Sequence, residues 1–211
     1  QSYEKVLDTA DGEAKRTIDL TVLDNAKAVF LPFPVIPFAH SVFSNVTNAH
    51  IGAQSSFMYA DVVTCGRVGM GERWKMRRFS SSTRVYVDET GEEGGPRSRP
   101  RGDGEESAPR LVFADRLLLE PDRFTYTDTA MWREFTHCGM AYLHVPRRES
   151  RRTQMTAEDE LVERIRALAH DRGPRGEIGV SRQNEGIAVR LLTDRGDDAF
   201  GFLAEVAQLL R

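Results

Sequence analysis

Three carboxylates stand where the surrounding residues predict burial: Asp61 in FMYADVV, Glu72 in GMGERW and Asp115 in LVFADRLLL. A carboxylate in such a setting needs a cation or hydrogen-bond donors. Arg67, Arg73 and Arg116 are near enough in sequence to make each acid a structural ion. The other use is a polar, water-filled passage through a β-rich body, in which oxygen donors hold a moving divalent cation weakly. A third is acid/base catalysis by Asp61 and Glu72, which requires the two to share one pocket with displaced pKa values. No nucleophile stands beside a base, since Ser80, Ser81 and Ser82 read as a polar turn with no His near them.

Other chemistry is excluded by spacing. His137 and Cys138 are neighbours in a predicted strand and point to opposite faces, so they cannot share an ion. Cys138 and His144 share a face but are separated by roughly 20 Å of strand. His40 and His50 are isolated and there is no CxxC, so no tight transition-metal site is expected. GRVGMG, Gly66 to Gly71, has the glycine spacing of a phosphate-binding loop. It is followed by Glu72 and Arg73, which predicts a glycine-rich turn between strands. The basic runs RWKMRR (73–78) and RRESRR (147–152) are interrupted, and the whole chain carries a net charge of −3. They read as solvated faces or a rim for an acidic protein partner, not a nucleic-acid surface.

The elements that must position the three acids are mostly strands. TIDLTV (17–22) alternates with Ile18, Leu20 and Val22 on one face, and strand signals follow at 41–47, 55–63, 82–88 and 110–120. AVFLPFPVIPFA (28–39) carries no charge and three prolines, which predicts an extended ribbon with a poor hydrogen-bond ladder. Phe33, Val35, Ile36 and Phe38 are its apolar side chains, destined for a buried edge strand of the core or for a partner surface. Residues 89–109 are small, charged or helix-breaking and read as a mobile hairpin insertion, and its Arg101-Gly102-Asp103 triplet reads as chance. After a strand at 137–145, a helix is predicted over 156–170, opened by Thr156 with Asp159 as a capping box and stopped by Gly173 and Pro174. Strands around Ile178 to Val180 and Ile187 to Leu191 flank the loop 183–186, and a last helix carries Phe200, Phe202, Leu203, Val206 and Leu210.

The fold class is therefore mainly β with two C-terminal helices, an α+β arrangement. A β-rich region spans 1–136, and a small α+β region at 137–211 packs on it. With 211 residues, 29 % charged and only Cys65 and Cys138 as cysteines, the chain reads as a cytoplasmic protein with a real core and no disulfide framework. No apolar run is long enough to span a membrane, and no leader is visible, although the chain starts at Gln1.

Four segments in order, LPFPVIPFA, ADVVTCGRVGMGERW, ADRLLLEP and GVSRQNEGIAVRLLTD, resemble the UreD (UreH) family of urease accessory proteins. The resemblance covers the chain apart from 89–109 and implies a fold described as a β-helix-like stack of sheets. It implies no enzyme activity but a chaperone role. The partners it implies are urease apoprotein, the helical accessory protein UreF and the accessory GTPase UreG, with nickel as a transient cargo and no tightly bound cofactor, nucleic acid or membrane. It also favours the passage reading of Asp61, Glu72 and Asp115 over a purely structural adaptor. Two departures are that roughly the first quarter to third of the family's length is absent, and that His40 stands where relatives usually have a glycine.

Overall fold

The computed structural model describes residues 3–88 and 108–210. The predicted insertion, with its Arg-Gly-Asp triplet, lies almost wholly outside the described residues. Among the described residues, eleven strands form two sheets. The first has the order β1 (Glu4–Val6), β4 (Val35–Pro37), β6 (Ser56–Thr64), β9 (His137–His144), β11 (Ile187–Thr193) and β10 (Gly176–Arg182), with β3 (Lys27–Phe30) also pairing β6. The second has the order β2 (Ala14–Val22), β5 (Val42–Gly52), β7 (Arg78–Asp88) and β8 (Arg110–Leu119).

From β1 to β7 the chain alternates between the sheets, with β3 and β4 together making one pass through the first, and neighbours from successive circuits are parallel: β1 with β4, β3 and β4 with β6, β2 with β5, and β5 with β7. This is the winding of a β-helix-like stack, left unclosed. β8 and β9 then reverse direction and pair antiparallel with β7 and β6. The first sheet thus takes strands from both sides of position 137.

Layering follows from which faces are apolar. β2 alternates exposed and half-buried residues, because only one face of the second sheet is covered. β6, SFMYADVVT, is buried on both faces. Its Met58, Ala60 and Val62 meet Leu161, Val162 and Ile165 of α1 (Arg151–Arg172) and Phe202, Leu203 and Val206 of α2 (Gly196–Gln208). Its Phe57, Tyr59, Asp61 and Val63 face the second sheet. The order is sheet, sheet, helices.

Three local expectations are corrected. α1 starts at Arg151, with Ser150 and Thr153 forming the capping box; Thr156 lies inside the helix and bonds Arg152 O. Ser80, Ser81 and Ser82 are strand residues of β7. The proline ribbon is two short strands, β3 and β4, separated by residues 31–34. β4 is not an edge, since β1 lies outside it and Phe38 N–H donates to Val6 O at 2.9 Å. Val35 is fully buried and Phe33 stacks on Phe200 of α2 with centroids 5.1 Å apart, whereas Ile36 is half-buried. Ile36→Ala is therefore expected to cost below about 2 kcal/mol in urea unfolding, less than the loss at a fully buried isoleucine.

Candidate functional site

The inward face of each central strand is apolar at both ends and polar in the middle. On β5 it reads Phe43, Asn45, Thr47, Ala49, Ile51, and on β7 Phe79, Ser81, Thr83, Val85, Val87. Register aligns the polar positions, because Arg16 pairs Asn45 and Asn45 pairs Ser81, while Thr47 pairs Thr83 and Thr83 pairs Asp115. The facing sheet contributes Asp61, in one cross-strand row with Met140 and Arg190. A polar seam therefore divides the inter-sheet core into one apolar cluster around Phe57, Tyr59 and Val85 and another around Val35, Phe43 and Phe79.

An arginine meets a carboxylate at each end of this seam. Glu4 accepts a hydrogen bond from Arg16, whose Nη2 lies 3.8 Å from Asp61 Oδ1; at the other end Asp115 accepts one from Arg190. Asp61 Oδ2 accepts from Ser81 Oγ at 3.3 Å and from Asn45 Nδ2 at 3.4 Å, while its Oδ1 and Arg16 Nη2 form no hydrogen bond. Asp61 is 8 % exposed, and burial pushes its carboxyl up to about 6 against the opposing pull of Arg16. Asp61 and Asp115 line one cavity of about 20 Å³ together with Ser81, Cys138 and Arg190. That is room for about one water-sized group. Burial pushes the Cys138 thiol up to about 12, so it offers a neutral sulfur and not a thiolate.

Glu72 does not join them. It ends the turn after β6, where Gly66 and Gly71 have positive φ, and accepts from Ala39 N–H at 2.7 Å and from Arg67. Arg67 holds the Glu72 carboxyl below its usual range and lies over the Phe38 ring at 4.4 Å. Glu72 thus ties this turn to the end of the ribbon, and it does not line the cavity that Asp61 and Asp115 share. Phe33, Val35 and Phe38 lie in the ribbon's packing as described above. His40, just beyond it, takes a left-handed backbone conformation (φ +60°), where a residue without Cβ carries no steric cost.

Of the arginines expected as partners, Arg67 takes that place at Glu72, but Asp61 and Asp115 are served by Arg16 and Arg190. Arg116 follows Asp115 on a strand and points to the other face. Arg16 was detectable, since it lies two residues before Ile18 on the same inward face. Arg190 and Asn45 carried no such signal. His137 and Cys138 do face opposite ways: the His137 ring lies beside Gly196 at the start of α2, and Cys138 lines the cavity. Among the described residues, no three His, Cys, Asp or Glu side chains are grouped to hold a metal ion. Among them, too, no helix is long and apolar enough to cross a membrane.

The described residues form a mainly β body wound between two sheets and backed by helices, with ion pairs along the seam between the sheets. The family model described as UreD urease accessory protein matches residues 1–211, and the chain belongs to that family. It is a family of accessory, chaperone-like proteins and not of enzymes. Similar curated relatives include the urease accessory protein UreH of Helicobacter hepaticus, 26 % identical over 98 % of this chain and 69 % of that protein. Another is UreD of Haemophilus influenzae (strain PittEE), 25 % identical over 100 % of this chain and 71 % of that protein. UreH of Helicobacter pylori (strain J99) is 26 % identical over 77 % of this chain and 54 % of that protein.

Proposed function

We propose that this chain acts in urease maturation in the cytoplasm, docking on urease apoprotein with the accessory proteins UreF and UreG, and that nickel passes along the seam between its sheets. Family membership supports the assembly role. The observation that carries the passage is the shared cavity of Asp61 and Asp115, two carboxylates from different sheets with a buried oxygen that makes no hydrogen bond. Transfer needs weak sites. Hard oxygen donors hold a borderline cation loosely enough to release it, whereas a thiolate and imidazole cluster would retain it. Glu72 stands outside this path and acts on the turn that it braces.

The test replaces Asp61 by Asn and Asp115 by Asn, singly, and follows co-purification with urease apoprotein and urease activation by Ni²⁺. Association is expected to persist while activation falls by about tenfold or more, the scale at which disturbed metal partners usually show. Normal activation by both assembled variants would leave a structural adaptor without a passage. Failure to associate with urease apoprotein would remove the assembly role itself.

A further inference from the structure

The two ends of the seam are closed by different kinds of arginine. Arg16 is only 16 % exposed and is held by three groups: Glu4, Asn45 Oδ1 at 2.9 Å and the Asp61 carboxylate. Arg190 is 56 % exposed, while its partner Asp115 is 11 % exposed. A guanidinium that is more than half in water leaves its pair at little cost, but the carboxylate left behind has few other ways to be compensated.

Arg190 also has somewhere to go. It lines the inter-sheet cavity and, with Leu117 and Cys138, a second, open groove of about 560 Å³ between the edge strands β8 and β10, whose walls include Leu118, Met131, Trp132 and Leu192. In the β10–β11 pairing Arg190 lies opposite Gly179 and Glu177 opposite Leu192, so Glu177 is the diagonal neighbour of Arg190 on one face of the sheet. Diagonal neighbours are within reach of long side chains. Glu177 is 63 % exposed, bonded to Arg133, and lines the same groove.

We propose that Arg190 is a displaceable counter-cation: on Asp115 it closes one mouth of the seam, and swung toward Glu177 in the groove it yields Asp115 and Asp61 to a divalent cation. Entry or exit then occurs at the β8–β10 side, since the Arg16 end is pinned. This rests on the passage reading above and adds its gate.

The test titrates the purified chain with Ni²⁺ alone. Arg190→Gln is expected to bind Ni²⁺ about tenfold or more tighter than wild type, because a unit positive charge beside the divalent ion is gone. Arg190→Lys, which keeps the charge, is expected to bind like wild type. Glu177→Lys reads the gate from the other side: a cation there repels the released guanidinium, and binding is expected to weaken several-fold. If Arg190→Gln and Glu177→Lys bind like wild type while Asp61→Asn or Asp115→Asn binds more weakly, the gate is wrong and the passage stands. If neither Asp variant alters binding, the passage has failed and the gate with it.

Discussion

Replacing Arg16 by Met is expected to destabilise the fold by about 3 kcal/mol at pH 7.5 but by only about 1 kcal/mol at pH 5. Asp61 is the reason. With Arg16 present its carboxyl titrates at about 6, so it is charged at pH 7.5 and mostly protonated at pH 5. Without that cation, burial prevails and the group takes up a proton. Holding it protonated at pH 7.5, about 1.5 pH units above 6, costs about 2 kcal/mol. The remaining 1 kcal/mol or so is the loss of the hydrogen bonds to Glu4 and Asn45, felt at both pH values.

The sign for the wild type follows from the same group. A carboxyl raised from 3.8 to about 6 stabilises the fold, relative to the unfolded chain, only while protonated, and that advantage is lost as pH rises through 6. His137 acts in the opposite sense. Burial holds it down at about 4, so its contribution is present above pH 6.5 and lost as pH falls toward 4. It is common to both proteins and cancels in the difference. Urea unfolding of wild type and Arg16→Met at the two pH values reads the effect, and an equal cost at both would disprove the coupling.

Ile165→Ala is expected to cost about 2–5 kcal/mol, the range for emptying a fully buried isoleucine site. Ile165 has no exposed surface and lies where α1 meets the first sheet, among Met58, Val62 and Leu143. The cavity it leaves is on the helical side of β6, away from Asp61. Stability in urea should fall while Ni²⁺ binding by the folded variant stays as in the wild type. A cost below about 1 kcal/mol would mean that the helices are not docked as described.

Strands were legible wherever burial is one-sided or continuous. TIDLTV shows a period of two because one face of the second sheet meets solvent, and FMYADVV is almost wholly apolar because β6 has cover on both faces. The start of α1 was not legible, since its first two turns are largely exposed and the apolar stripe begins only at Leu161. β1 was missed because three residues, Glu4 to Val6, are too few to show a period. In the seam, the anomaly of Asp61 and Asp115 among apolar neighbours was visible, and so was the inward position of Arg16 on its strand. Which cation meets which acid was not, because Arg16 and Arg190 are brought to them by sheet register across long stretches of chain. Glu72 looked alike in sequence, but its setting is a turn.

The unequal cover of β2 and β6 bears on how such a chain can drift over generations. Along β2 every second position looks outward and accepts change at little thermodynamic cost. β6 has no idle side, because a residue altered there disturbs either the helical layer or the seam. Substitutions on the outward positions of the outer sheet therefore cost the fold little, while those in the strand between its two interiors cost it most.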